Sequence, residues 1–177
     1  GRYNGNGQYL KFVNTNSTAS AGPVFYFYGG SNDNTIQYCD IEGQGKNTSK
    51  GIITIGAASS SSTSNLIIHN NNIYGNSSSG ATNLIHAAGL NSVPNNNIVI
   101  TNNNLYNFKY DGGGTVTRSY AINVTSNGNG GNWTISGNSI FNKTTATNVQ
   151  TAISFLPGSS SYDNFISRNH IGGSAPQ

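Results

Sequence analysis

An eleven-residue pattern that occurs five times constrains the fold of this chain more than any other feature. In the three clearest copies, alternating apolar and polar residues are followed by a short asparagine-rich corner and one further apolar residue, which we call the anchor; the first and last copies are weaker. The copies span residues 33–43, 65–75, 97–107, 132–142 and 163–173, and their anchors are Ile41, Ile73, Leu105, Ile140 and Ile171. Successive anchors lie 32, 32, 35 and 31 residues apart. A repeat of this length indicates a solenoid or another repeat array.

Two further positions recur at fixed distances from the anchor. An isoleucine stands five residues before it in every copy, at Ile36, Ile68, Ile100, Ile135 and Ile166. Two residues before it stand Cys39, Asn71, Asn103, Asn138 and Asn169. These constant offsets predict that equivalent residues lie over one another when the copies stack.

A second strand-like segment precedes each copy, at residues 24–28, 51–55, 83–87, 120–124 and 151–155. Each segment alternates apolar and polar residues with a period of two, which is the period of a β-strand. Helix is disfavoured because Asn, Ser, Thr and Gly, which dominate the chain, are poor helix formers. Each repeat therefore holds two or three short strands, and residues 9–13 match the end of one earlier turn.

Two all-β arrangements are compatible with such strands. A sandwich joins antiparallel neighbours by tight hairpins and does not require a constant period, whereas a solenoid stacks each strand in parallel on its equivalent one period later. The constant offsets favour the solenoid, and six turns spaced about 4.8 Å apart would be roughly 25–30 Å long.

The asparagines two residues before the anchor are predicted to be structural. They lie at a corner, where Asn tolerates left-handed backbone geometry. Stacked on successive turns, their amides can bond to one another and to the backbone as an internal ladder. Cys39 takes this position in the first copy, and we expect it to be buried, as unpaired cysteines often are.

With these motifs, residues 24–173 resemble the right-handed parallel β-helix repeat family, the pectate-lyase-like solenoids. The predicted fold is thus all-β, a right-handed parallel β-helix of about six turns with an internal asparagine ladder. The chain is also similar to β-helix segments of large secreted Bacteroidetes surface proteins. That resemblance implies export, so we expect residues 1–177 to form one domain, a segment of a longer secreted or cell-surface protein.

Composition removes several classes of function. The net charge is only +3 and its eight Lys and Arg residues are scattered, whereas nucleic-acid binding favours clustered basic residues. No apolar run approaches the ~20 residues of a transmembrane helix. The single cysteine allows no internal disulfide.

Catalysis is the main alternative to a structural role. The resemblance implies acidic Ca²⁺ ligands beside an Arg or Lys in lyases, and several aspartates in the related hydrolases. Asp33 and Asp163 occupy equivalent turn positions and are predicted to be turn caps. Asp40 and Glu42 flank Ile41, which places them about 6.6 Å apart on the outer face, a spacing that suits a glycosidase pair or part of a Ca²⁺ site.

No Lys, Arg or His is visibly placed to support Asp40 and Glu42, so we predict a non-catalytic chain without cofactor or metal. The alternative is a polysaccharide lyase or glycoside hydrolase that uses this pair. The histidines His69, His86 and His170 fall at different repeat positions, and metal ligation needs three or four convergent ligands. We predict that all three are surface or turn residues.

One outward row is a candidate binding surface. Tyr74, Tyr106 and Phe141 directly follow their anchors, so they should stack on consecutive turns as an aromatic strip. Such a strip suits polysaccharide, while the alternative is that the rings stack on one another and stabilise the sheet. We therefore predict a structural or adhesive extracellular module that contacts polysaccharide. Its open ends are expected to contact neighbouring parts of the same polypeptide or a second solenoid end to end.

Overall fold

The protein is an all-β solenoid built from three parallel sheets. The structure is a computed structural model that describes residues 7, 10–16, 18, 22–56, 58, 60–78, 80–110, 118–125, 128–159 and 161–177. These residues form strands and turns without a helix, so the described chain has no helix that could span a membrane.

Sixteen strands follow one another in the described chain. In order they are β1 (Leu10–Asn14), β2 (Phe25–Phe27), β3 (Thr35–Gln37), β4 (Cys39–Gly43), β5 (Ile53–Ile55), β6 (Ser64–His69), β7 (Asn72–Gly75), β8 (Asn83–Ala87), β9 (Asn96–Thr101), β10 (Asn104–Tyr106), β11 (Arg118–Val124), β12 (Thr134–Ser136), β13 (Ser139–Phe141), β14 (Val149–Phe155), β15 (Phe165–Ser167) and β16 (His170–Ile171).

Every third strand joins the same sheet. The strand order is β1-β4-β7-β10-β13-β16 in sheet A, β2-β5-β8-β11-β14 in sheet B and β3-β6-β9-β12-β15 in sheet C. All of these neighbours pair in parallel. The prediction of a parallel solenoid is confirmed, with six turns represented in sheet A and five in sheets B and C. The first strand begins at Leu10, and Tyr9 lies outside the described residues.

The core consists of aliphatic columns that run along the solenoid axis. In sheet A the anchors pair in register from Phe12 and Ile41 to Ile140 and Ile171, and in sheet C the isoleucines pair from Ile36 onwards. Inner members of both columns are almost completely buried. In parallel strands, equivalent side chains of successive turns lie directly over one another. Branched aliphatic side chains pack well in such columns, which explains why isoleucine is so frequent at these core positions.

The corner between sheets C and A corrects one expectation. The residue in left-handed geometry is the one three before the anchor, and its φ is between 54° and 66° at Tyr38, Asn70, Asn102, Gly137 and Arg168. The ladder asparagines at the next position are not among the positive-φ residues. Their role is hydrogen bonding rather than turn geometry, because the preceding residue already makes the bend.

Candidate functional site

The candidate site is the outer face of sheet A, where two columns of side chains point away from the core. One column pairs Asp40 with Asn72 and continues to Asn104. The other contains the predicted aromatic strip, in which Tyr74, Tyr106 and Phe141 pair in register on consecutive turns after Glu42. The structure thus brings together all five residues that the sequence proposed for binding or catalysis.

The three aromatic rings form a continuous stack. The ring centroids of Tyr74 and Tyr106 are 4.6 Å apart with an interplanar angle of 5°. Those of Tyr106 and Phe141 are 5.1 Å apart at 16°. The spacing is close to the separation of neighbouring strands, so each ring packs its face on the ring of the adjacent turn.

This stacking determines which parts of the aromatic strip remain accessible to a ligand. Phe141 is only 2% exposed, so it is a buried residue rather than the outward contact that its position in the row predicted. Tyr74 and Tyr106 are half-buried. Burial raises the pKa of both phenols, which keeps their hydroxyl groups neutral donors. The inner ring faces are covered, so a ligand meets mainly the phenol rim of the stack.

Charged groups border the stack. Lys11 Nζ lies 2.7 Å from Glu42 Oε2 and 5.9 Å from the centroid of the Tyr74 ring. The bond to Glu42 raises the pKa of Lys11. Lys143 Nζ lies 4.2 Å from the centroid of the Tyr106 ring. The expectation that no cation accompanies Glu42 is therefore wrong, because Lys11 reaches it from the preceding strand of sheet A.

Asp40 belongs to a ladder of hydrogen bonds. Asn72 Nδ2 donates to Asp40 Oδ1 at 2.7 Å, and Asn104 Nδ2 donates to Asn72 Oδ1 at 2.8 Å. Each amide therefore donates towards the preceding turn. The first member of such a row has only to accept, which a carboxylate does well. Asp40 and Glu42 are thus engaged in a ladder and an ion pair respectively.

A second outer ladder has the same organisation. Asn65 Nδ2 donates to Asp33 Oδ1 at 2.8 Å, and Asn97 and Asn132 continue the row with bonds of 2.9 Å. These residues and Asp163 all have φ between 49° and 60°, which confirms that Asp33 and Asp163 occupy turn positions. Again an aspartate accepts at the start of the row.

The predicted internal ladder is present and runs in the opposite direction. Asn71 Nδ2 donates to Asn103 Oδ1 at 3.1 Å and to the Ile36 carbonyl at 3.0 Å. Asn103 and Asn138 repeat this arrangement towards Asn169. Each carboxamide oxygen also accepts from the ladder residue of the preceding turn, as Asn71 Oδ1 does from the backbone N–H of Cys39. Cys39 is 5% exposed and buried as predicted.

Another internal row was missed by the sequence reasoning. Thr63 N–H donates to Asn95 Oδ1 at 3.0 Å, and Asn95 Nδ2 donates to Asn129 Oδ1 at 3.1 Å. The buried Trp133 donates through Nε1 to the Asn95 carbonyl. A signal existed in the sequence, because Thr63 and Asn95 each precede their anchor by ten residues. The row is internal, and it adds to the core rather than to a binding surface.

The histidines differ from the prediction at one position. His86 is 4% exposed, and its Nδ1 has no hydrogen-bond partner in the part of the chain that the structure describes. Burial lowers its pKa to about 4. At the start of the same strand, Asn83 Nδ2 donates to the carbonyls of Asn47, Thr48 and Lys50, which holds that loop against β8.

Over the described ranges, no group of three or more His, Cys, Asp or Glu residues is placed to hold an ion. The scan against protein-family models and the searches of curated proteins and of solved structures gave no match. A functional conclusion must therefore come from the geometry of this chain.

Proposed function

We propose that this chain is a non-catalytic structural and adhesive module of a secreted or cell-surface protein. The observation that carries the proposal is that its polar side chains bond from turn to turn in continuous ladders. Such rows stiffen a solenoid along its axis, because separating two turns breaks several hydrogen bonds together. A rigid rod of this kind suits the spacing and display of a contact surface.

The adhesive part of the proposal places polysaccharide on the outer face of sheet A. Neutral phenol groups of Tyr74 and Tyr106, the Asn104 amide and the ammonium groups of Lys11 and Lys143 lie together there. Sugar hydroxyl groups are matched by such donors and acceptors, and a carboxylate of an acidic glycan is matched by the Lys143 ammonium, since Lys11 is already paired with Glu42.

A glycan array tests this contact. The Tyr74→Phe/Tyr106→Phe double variant removes both hydroxyl groups and retains the stacked rings, so its fold should be preserved. Tyr162→Phe is the matched control, because Tyr162 is exposed and outside sheet A. We expect the double variant to lose glycan binding and the control to retain it. Absence of glycan binding by the unaltered chain, or equal binding by both variants, would reject the adhesive part.

An activity assay tests the non-catalytic part. The chain should release no products from acidic or neutral polysaccharides, with or without added Ca²⁺. Asp40→Asn provides the check, since its amide can still accept the bond from Asn72 and keep the ladder. Product release that Asp40→Asn abolishes without loss of thermal stability would instead establish a lyase or hydrolase that uses Asp40 and Glu42.

A further inference from the structure

Two tyrosines on the outer face of sheet B form a second aromatic surface. Along β2, Phe25 and Phe27 pack against the core, so the alternation of the strand directs Tyr26 outward. Tyr28 follows one residue beyond the strand and points to the same side. Tyr26 is 48% exposed and Tyr28 is 52% exposed, and their ring centroids lie 5.3 Å apart. About half of each residue is therefore accessible to one ligand.

This tyrosine pair differs from the aromatic strip of sheet A. In the strip the rings of Tyr74 and Tyr106 are parallel within 5° and cover each other's faces. The rings of Tyr26 and Tyr28 are tilted by 54°, so they do not stack face to face. Their faces can receive a flat apolar surface of a ligand, whereas the strip offers mainly phenol rims.

A glycine lies beneath both rings of the pair. A Cβ atom at Gly56 would be 3.2 Å from Tyr26 Cε2 and 3.2 Å from Tyr28 Cδ2. Gly56 is not among the positive-φ residues, so close approach of the rings, and not backbone geometry, explains the glycine. Its counterparts in the backbone ladder of later turns are Ala88, Thr125 and Leu156. Because Gly56 follows β5, both rings lean onto the second turn of sheet B and not over the open edge of β2.

A lysine borders the pair. Lys50 Nζ lies 5.6 Å from the centroid of the Tyr26 ring. The Lys50 carbonyl accepts a hydrogen bond from Asn83 Nδ2 at 3.0 Å, which fixes the backbone of Lys50 against β8. The ion pair of the described chain joins Lys11 to Glu42. Within the described residues the Lys50 ammonium therefore has no carboxylate partner, and it can pair with an anionic group of a ligand.

We propose that Tyr26, Tyr28 and Lys50 form a binding site for a carboxylated sugar, a uronic acid residue of a polysaccharide. The C–H face of the sugar ring packs on the tyrosine rings, and the phenol groups hydrogen-bond to the sugar hydroxyl groups. The Lys50 ammonium pairs with the carboxylate. This inference rests on the proposed adhesive function for its class of ligand, but it concerns a different sheet, so the two can be tested separately.

The charge beside the rings favours this occupant over two others. Densely sulfated glycans favour clustered basic residues, whereas a single ammonium group borders these rings in the part of the chain that the structure describes. Proline-rich peptides also dock on aromatic surfaces, but they supply no anion to Lys50. A carboxylated sugar uses both the tyrosine rings and the ammonium group.

A matched pair of probes tests the site by fluorescence anisotropy. The probes are labelled cellotetraose and the labelled tetrasaccharide of glucuronate that has the same linkage. The Tyr74→Phe/Tyr106→Phe chain serves as the background, so that the proposed contact on sheet A contributes no binding. We expect saturable binding of the glucuronate tetrasaccharide, about tenfold tighter than that of cellotetraose. Lys50→Gln in this background should remove the difference between the probes.

Two further variants locate the binding in the tyrosine pair. Tyr26→Ala/Tyr28→Ala in the same background should abolish binding of both probes, while circular dichroism verifies that the fold is retained. Tyr162→Ala is the matched control, because Tyr162 is a single exposed ring against Gly131 on another turn, and it should bind normally. Equal binding by these two variants, or a preference for glucuronate that survives Lys50→Gln, would overturn the proposal.

The background chain also separates this inference from the proposed function. If Tyr74→Phe/Tyr106→Phe alone abolishes binding of the glucuronate tetrasaccharide, the contact on sheet A is supported and the site on sheet B is rejected. If binding persists there and is lost with Tyr26→Ala/Tyr28→Ala, the site on sheet B holds whatever the glycan array shows for sheet A. Tighter binding of a sulfated cellotetraose or of a polyproline peptide than of the glucuronate tetrasaccharide would overturn the choice of ligand.

Discussion

Acidification should destabilise this protein through His86, the buried histidine of β8. Its side chain is 4% exposed, and burial lowers its pKa to about 4 from the ordinary value of 6.5. The unfolded chain therefore binds a proton more readily than the folded chain. The free energy of unfolding therefore has its full value above about pH 6.5, where His86 is neutral in both states, and it decreases as the pH falls towards 4.

The size of the effect follows from the two pKa values. Protonation of His86 in the unfolded chain lowers the free energy of unfolding by about 2 kcal/mol at about pH 5 and by about 3 kcal/mol at about pH 4, relative to neutral pH. Below the folded pKa both states bind the proton, and the loss levels off at about 3.4 kcal/mol. Such a loss is a large fraction of the stability of an ordinary domain.

Urea unfolding at several pH values measures this loss. The His86→Gln variant removes the titrating group, and the exposed His170→Gln variant is the control for the loss of any histidine. Between about pH 7 and pH 4, the unaltered chain and the control should lose about 3 kcal/mol more than His86→Gln. A pH profile of His86→Gln that parallels that of the unaltered chain would refute the assignment of a buried neutral imidazole.

Four further substitutions test the ladders and the stack, each by chemical unfolding. Asn103→Leu should cost about 3–5 kcal/mol because several buried donors and acceptors lose their partners, whereas Asn169→Leu at the end of the row should cost less than half as much; equal costs would contradict a continuous ladder. Asn72→Asp should cost about 1–2 kcal/mol at neutral pH, because it removes the donor to Asp40 and places two carboxylates together, and the loss should diminish on acidification. Phe141→Ala should cost about 3–4 kcal/mol as a buried ring, and a loss under about 1 kcal/mol would place Phe141 on the surface after all.

The repeat predicted the fold because, in a parallel stack, each residue preference recurs at the same position on every turn. An isoleucine such as Ile68 can face the core on its own turn in many folds. Only parallel stacking brings Ile68 over Ile36 and under Ile100 with the offsets that the sequence shows. The same reasoning correctly predicted the internal ladder, since a buried amide requires partners at the same position on neighbouring turns.

The candidate site was predicted in its position but not in its exposure. Alternation along a strand places Phe141 and His86 on outer faces, and the strand registers agree with this. Burial of an outer-face residue depends also on the connecting loops and other segments that pack over the sheet, and these do not repeat at constant offsets. Periodicity carries no information about those loops, and for this reason both residues were expected to be more exposed.

The sequence by itself determined the parallel solenoid, its register, the internal asparagine ladder and the row in which Tyr74 and Tyr106 lie. These features depend on side chains that recur at constant offsets. Only the tertiary structure decided that Asp33 and Asp40 begin outer ladders, that Lys11 pairs with Glu42 and that His86 is buried. These contacts depend on the direction of each amide and on the paths of the connecting loops, which arise when turns separated by about thirty residues come together.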